Sequence, residues 1–288
     1  MKELRIAVVG NCNAAILANC IRALRPDDQV DAFTVDHVLR TREQRFSDFD
    51  ITFALANVDE FGLSPVIAEC NSIFYWPNLI FFGFHPDITY FGIQGKPVRS
   101  AMGEYNSRIA ATGYALGLSV RETCRLFDKD VYDRLEFFDK YPISRAGLLI
   151  AAENCGLDLS DALSSWERTG VFMYSINHPK LIVFSDLSKA LLRLADLEFD
   201  PDLPLTDILP DVLANGGIWP VYPALAETIG VAGSMTFSPP THGAYDIKPL
   251  TLEHFVEKTF AIYRADGFLS QHMRTVDGLK VMWNALAA

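Results

Sequence analysis

A formal charge of −11 over 288 residues, with 36 acidic against 25 basic side chains, argues against a general nucleic-acid binder, which needs a basic face to neutralise phosphates. Half of the residues are hydrophobic and 21% are charged, an ordinary globular composition with enough chain to bury a large core. No apolar run approaches the roughly eighteen residues of a membrane span, the start Met1-Lys2-Glu3-Leu4 has no signal-peptide organisation, and five scattered cysteines fit neither a disulfide framework nor a paired metal spacing. These features point to a reducing, cytoplasmic setting.

Leu4-Arg5-Ile6-Ala7-Val8-Val9 reads as a parallel strand buried on both faces, because nothing in it alternates. Gly10-Asn11-Cys12-Asn13 makes the turn, and residues 14–24 have the propensity of a helix packed on a sheet, with Asn13 as its N-cap. A second strand over 29–35 leads to a short helix over 36–45. A third strand follows over 50–56, then a helix opening at Ser64-Pro65, and two apolar strands over 72–76 and 79–82 separated by Pro77-Asn78. Strand and helix therefore alternate through the first 90 residues, the signature of a parallel α/β sheet with ligands beyond the carboxyl ends of its strands. Helical periodicity takes over at residues 104–118, 119–128, 144–154, 160–168, 186–197, 252–264 and 276–287. The reading is an α/β fold whose N-terminal parallel sheet, residues 1–100, carries a large and mostly helical second half, residues 101–288, in one continuous globular unit. The chain contains no internal repeat, low-complexity tract or flexible linker.

Cys12 stands at the end of the first strand and the start of a helix, where backbone N–H groups and the macrodipole favour an anion and lower a thiol pKa. It is the candidate nucleophile; a packed turn cysteine is the alternative. Cys20, Cys70, Cys124 and Cys155 lie in apolar or helical contexts and read as packing residues. Gly83-Phe84-His85-Pro86-Asp87 follows an apolar segment, which makes His85 a candidate general base with Asp87 to fix its tautomer. A second histidine–proline loop, Asn177-His178-Pro179-Lys180, offers His178 as base and Lys180 as a point charge for phosphate or carboxylate. Asn106, Ser107 and Arg108 begin a helix after the sheet and, with Lys96 and Arg99, are candidates to meet an anionic ligand. A metal site is not expected, since no histidine pair has helical ligand spacing. His37, His254 and His272 fall on amphipathic segments and read as structural or solvated. Gly10-Asn11-Cys12-Asn13 lacks the second and third glycines of a dinucleotide fingerprint, so a nicotinamide cofactor is not expected either.

Taken together these motifs resemble the WcbI family of polysaccharide (capsule) biosynthesis proteins, regarded as coenzyme-A-binding acetyltransferases. The resemblance rests on Gly10-Asn11-Cys12, on Pro77-Asn78-Leu79 leading to Gly83-Phe84-His85-Pro86-Asp87, on Gly103-Glu104-Tyr105-Asn106-Ser107 and on Asn177-His178-Pro179-Lys180. It continues through Tyr222-Pro223-Ala224-Leu225-Ala226 and Gly230-Val231-Ala232-Gly233 and spans residues 4–237. Asn13 departs from the glutamine of that pattern, and Ser238-Pro239-Pro240 follows Phe237 where the family pattern has a lysine.

The resemblance implies coenzyme A or acetyl-CoA as cosubstrate and a carbohydrate or other hydroxyl acceptor, with a homo-oligomer allowed. In that reading Cys12 is the nucleophile or lies against the thioester, His85 or His178 removes the acceptor proton, and Asn11 stabilises the oxyanion. Lys96, Arg99, Arg108 and Lys180 would take the coenzyme A phosphates, with Gly10, Asn13, Asn106 and Ser107 as further cofactor contacts. Two other readings keep the same residues: an esterase or deacylase on a Rossmann-like or SGNH-like half, and a non-catalytic ligand-binding protein in which Cys12 is merely packed.

Overall fold

The computed structural model describes residues 3–41, 45–63, 69–93, 95–241, 248–267 and 284. The helix expected to open at Ser64 and most of the helix expected over 276–287 lie outside these residues, as does His272. The strands are β1 (Arg5–Gly10), β2 (Gln29–Thr34), β3 (Ile51–Leu55), β4 (Ile73–Trp76), β5 (Ile88–Thr89), β6 (Gly92–Ile93), β7 (Lys96–Pro97) and β8 (Asn106–Ser107). The α-helices in the N-terminal half are α1 (Ala14–Leu24), α2 (Val35–Thr41), α3 (Arg108–Ala115), α4 (Val120–Cys124), α5 (Lys129–Arg134) and α6 (Lys140–Glu153). They are followed by α7 (Ser160–Thr169), α8 (Leu181–Leu194), α9 (Leu205–Ile208), α10 (Pro223–Ile229) and α11 (Leu252–Ala265). Among the described residues no helix is long and apolar enough to cross a membrane.

The chain divides into two compact units, and not at one point in the sequence. The first comprises Met1–Ile80, Ala146–Phe172 and His178–Val212. Its four strands are parallel in the order β2-β1-β3-β4. From Ile6 to Gly10 β1 is wholly buried, as is all of β3, which explains their uninterrupted apolar sequence. The chain leaves β1 for one neighbour and returns on its other side, so the carboxyl end of β1 is a topological switch point, where open α/β sheets leave a crevice. Helix α1 packs on β1, β2 and α8 through Ile16, Leu17, Cys20, Ile21 and Leu24. Cys20 is buried there, its thiol pushed up to about 12 by desolvation with the Asp211 charge adding to it.

The second unit comprises Phe81–Arg145, Met173–Asn177 and Leu213–Ala288, so residue 100 lies inside it. It is built mainly from α3, α4, α5, α10 and α11 with two short antiparallel strand pairs, β5–β8 and β6–β7. Helix α11 packs on α3 and α4, and Phe237 and Phe255 stack with centroids 4.1 Å apart at the centre of an aromatic core.

Local expectations at residues 79–82, 104–107 and 181–185 differ from the structure, as do the ends of the helices expected over 119–128 and 144–154. Residues 79–82 are not a strand: alternation of buried Leu79 and Phe81 with Ile80, 40% exposed, comes from an irregular segment. Phe81 donates to the Ile176 carbonyl at 2.7 Å and Phe82 to Ser144 Oγ at 3.1 Å, while the Phe81 ring wedges against Phe84 and Tyr141. The helix expected from 104 begins only at Arg108. Bridges join Ser100 to Gly103 and Met102 to Tyr105, and Asn106 and Ser107 pair with β5 before Ser107 caps α3 through Ala110 N–H at 2.9 Å. The helix expected from 186 begins instead at Leu181, because the Asp211 carboxylate takes the Leu181 N–H at 2.8 Å and closes an earlier N-terminus.

Gly10 ends β1 against Trp76, which is fully buried and donates to the Val9 carbonyl at 3.3 Å. A Cβ at Gly10 would lie 2.3 Å from Trp76 Cζ2. Gly10→Ala is therefore expected to destabilise the protein by about 1–3 kcal/mol, read as a lower midpoint in urea unfolding followed by tryptophan fluorescence.

Candidate active site

The turn after β1 exposes Cys12 while burying its neighbour Asn13 completely. Cys12 Sγ lies 3.7 Å from His178 Nε2 and 3.8 Å from Asn13 Oδ1. His178 stands on the loop between α7 and α8, three residues before α8 begins, and the packing of α1 on α8 brings together residues 166 positions apart. The Asn11 side chain closes the turn by accepting the Asn13 N–H at 3.0 Å, and the Asn11 carbonyl accepts the Ala14 N–H at 3.0 Å.

The expectation of a lowered Cys12 pKa is corrected by this geometry. Desolvation by the surrounding protein raises the thiol pKa, and the pull of the Cys12 and Asn13 backbone N–H groups is the smaller effect. Desolvation also lowers the pKa of half-buried His178. Both shifts oppose a thiolate–imidazolium pair, so the resting state is a neutral thiol beside a neutral imidazole. With Nε2 unprotonated, the ring is placed to take the S–H proton.

Lys180 is the N-cap residue of α8 and is half-buried. Its N–H bonds the Phe172 carbonyl at 2.9 Å, and burial lowers its pKa against the opposing influence of Asp211. Lys180 thus shares the first unit with Cys12 and His178, and the head of α8 with His178.

The second unit gathers most of the remaining candidates in a different arrangement. His85 and Asp87 are both buried, and Asp87 does not orient His85. Its Oδ1 accepts the Ile109 N–H at 3.0 Å and its Oδ2 accepts the Tyr222 hydroxyl at 2.7 Å, while Trp219 Nε1 donates to that hydroxyl at 3.2 Å. Burial raises the Asp87 pKa, with Ser107, Tyr222, Ile109 and the Arg108 charge pulling it down. Asn106 Nδ2 donates to the Val98 and Glu104 carbonyls and its Oδ1 accepts the Tyr263 hydroxyl, so its amide is spent inside the protein. The start of α3 is therefore closed by Asp87 and Ser107. This is not the open anion site expected of Asn106, Ser107 and Arg108, because the first N–H groups already have protein acceptors.

His85 sits beside the Trp219 and Ser175 backbones, and burial lowers its pKa from 6.5 to about 3. Tyr105, Ser175 and Asn177 form a hydrogen-bonded cluster, with the Tyr105 hydroxyl accepting from Ser175 at 2.8 Å and donating to Asn177 Oδ1 at 2.5 Å. Tyr222, Trp219 and Ser175 were not foreseen as partners of Asp87 and His85. The one signal available was Tyr222 at the head of a helix-opening Tyr-Pro pair. Lys96 and Arg99 are exposed and line an open groove of about 580 Å³ with Ile93, Pro97, Val98 and Asp266. Among the described residues no group of three or more His, Cys, Asp or Glu side chains is arranged to hold a metal ion.

Fold and site define an α/β protein with a cysteine–histidine pair at the switch point of a parallel sheet. Over residues 5–200 the chain matches the family described as polysaccharide biosynthesis enzyme WcbI, and it belongs to that family. The whole chain is also similar in fold to a solved structure of WcbI, described as a novel polysaccharide biosynthesis enzyme and as the native protein without a disulfide bond between coenzyme A and one of its cysteines. The two align with a TM-score of 0.68 over 99% of each chain, at 13% identity. No curated protein matches the chain.

Two predictions concern the buried groups of the second unit. Tyr222→Phe leaves Asp87 Oδ2 and Trp219 Nε1 without their shared hydroxyl, and is expected to cost about 1–3 kcal/mol in urea unfolding. His85 has a folded-state pKa below its unfolded value, so the unfolded chain binds the extra proton. Its contribution to stability is complete above pH 6.5 and is lost as pH falls toward about 3. His85→Gln is expected to flatten the pH dependence of the unfolding free energy between those limits, measured by urea titration at a series of pH values.

Proposed function

We propose that this WcbI-family enzyme is an acyltransferase that moves an acetyl or similar acyl group from acyl-CoA to a hydroxyl of a polysaccharide precursor, in the cytoplasm. The observation that carries the reading is the 3.7 Å approach of Cys12 Sγ to His178 Nε2 at the carboxyl end of β1. The coenzyme A named in the description of the similar WcbI structure supports the choice of donor.

Bound as substrate, acyl-CoA supplies an acyl group already activated as a thioester. The Cys12 sulfur attacks the acyl carbon as its proton passes to His178 Nε2, and His178 returns that proton to the departing thiolate. In the second half-reaction His178 takes the proton of the acceptor hydroxyl while the oxygen attacks the acyl carbon on Cys12. The Cys12–acyl bond breaks, and the proton on His178 restores the thiol. General base assistance of this kind is worth about 10²–10⁴ in rate. The Asn11 amide N–H groups and the helix-start backbone would stabilise the developing oxyanion, at about 3 kcal/mol per well-placed donor.

His178 is preferred over His85 as base because it touches the thiol, whereas His85 is enclosed in the core of the second unit. Asp87 belongs with that core. Lys96 and Arg99 on their open groove have the charge and access to take phosphates, and Lys180 and Arg108 are further cationic candidates with part of their charge turned to Asp211 and Asp87.

Calorimetric titration with coenzyme A, acetyl-CoA and dephospho-coenzyme A tests the donor. Saturable micromolar binding, about −8 kcal/mol, is expected, weaker without the 3′-phosphate and after Lys96→Ala or Arg99→Ala. No binding at millimolar ligand would overturn the reading, and turnover of a simple ester without coenzyme A would favour the hydrolase. Cys12→Ala is expected to keep binding and abolish transfer. His178→Ala should lower transfer about 10²–10⁴-fold.

A further inference from the structure

Asn13 occupies the N-cap position of α1, where a carboxamide oxygen ordinarily accepts an N–H of the first helical turn. Here it makes no such cap bond. The side chain is fully buried and its Oδ1 lies 3.8 Å from Cys12 Sγ, on a donor–acceptor path from the S–H. The Asn13 backbone N–H is meanwhile held by Asn11 Oδ1, and the Ala14 N–H by the Asn11 carbonyl. The helix start thus sets a buried carboxamide oxygen against the sulfur beside the Cys12 and Asn13 N–H groups, of which the Asn13 N–H is shared with Asn11 Oδ1.

We propose that Asn13 is a positioning residue that holds the resting Cys12 thiol protonated, its Oδ1 accepting the S–H and competing with His178 Nε2 for that hydrogen. A buried carboxamide oxygen at this distance also opposes negative charge on the sulfur, because the amide dipole is fixed in place and little screened. The same contact aims the S–H away from the imidazole, so proton transfer to His178 requires the thiol to rotate. Asn13 therefore acts through Cys12 and, being fully buried, does not itself meet solvent. This role differs from the cofactor contact expected for it.

The charged and titratable groups on the elements packed against α1 are Arg5 on β1, Asp31 on β2, and Asp186, Lys189 and Arg193 on α8. His178, Lys180 and Asp211 lie at the head of α8. His178 is the group that meets the sulfur. No neighbouring charge is among the influences on the thiol: burial raises its pKa and the Cys12 and Asn13 N–H groups lower it, and the Asn13 carboxamide oxygen is the polar side-chain group set against it from its own helix start.

The inference rests on Cys12 as the reactive thiol of the proposed enzyme, but its test needs no acyl donor. Full-length protein is alkylated with iodoacetamide across pH 6–10, and modification of the Cys12 peptide is followed by mass spectrometry. The sulfur displaces iodide from the reagent carbon, so the rate tracks the thiolate fraction. Asn13→Ala is expected to move the half-rise of the rate about one pH unit downward, giving about a tenfold faster reaction at pH 7. Asn13→Ser, which retains a helix-capping side chain, should move it in the same direction, and Asn13→Asp should move it upward. An unchanged or raised half-rise in the Ala and Ser variants would overturn the proposal. If Asn13→Ala does not fold, as judged by circular dichroism, Asn13→Ser decides. A lowered half-rise without acyl transfer would leave this inference standing and sink the proposed function instead.

Discussion

The packing of α1 against α8 is the contact on which the candidate site depends. Both helices lie in the first unit, and their buried faces, Leu17, Cys20, Ile21 and Leu24 on one and Leu187, Leu191 and Leu192 on the other, belong to its core. That burial, at about 1.5–3 kcal/mol for each large apolar side chain removed from water, holds the head of α8 beside the turn after β1. Cys12 and His178 belong to no common secondary element. Their 3.7 Å approach is a consequence of where two hydrophobic helix faces meet, reinforced by Asp211 closing the start of α8.

Within that frame the electrostatics depart from a simple helix-start argument. A cysteine at a helix N-terminus gains from N–H groups only to the extent that they are aimed at sulfur and reached without loss of solvation. Here the Asn11 side chain shares the Asn13 N–H and its carbonyl takes the Ala14 N–H, and desolvation is the larger effect on Cys12. Burial acts in the opposite sense on His178, leaving the pair neutral. A neutral imidazole is a competent base, whereas a preformed imidazolium is not, so the arrangement suits proton transfer concerted with attack rather than a standing thiolate.

The second unit uses the same residue types for stability. Asp87 ties the start of α3 to Tyr222, and Trp219 completes the chain of bonds, so a buried carboxylate holds three segments distant in sequence. Each polar group in that chain has a partner, the condition under which buried polar networks specify a fold rather than weaken it. His85, enclosed beside Trp219 and Ser175, is kept neutral by burial and belongs to this core.

The amino-acid order by itself determined the parallel α/β half, because unbroken aliphatic strands such as Ile6–Val9 and an amphipathic helix after Asn13 follow from local periodicity and burial on two faces. It also determined that Cys12 lies at a strand end, since that needs only the first strand and the turn after it. Only the tertiary structure decided that His178 touches the thiol and that His85 is enclosed in the core of its own unit, because the two histidine–proline loops are alike locally and differ in what packs around them. Residues 79–82 depart from a strand for the same reason: an apolar run reports burial, while its hydrogen-bond partners, Ile176 and Ser144, come from distant segments. The roles of Asn13 and Asp87 were likewise set by surroundings. A carboxamide or carboxylate caps a helix, meets a ligand or steadies a neighbour according to which donors folding brings within hydrogen-bond distance, and sequence spacing does not encode that distance.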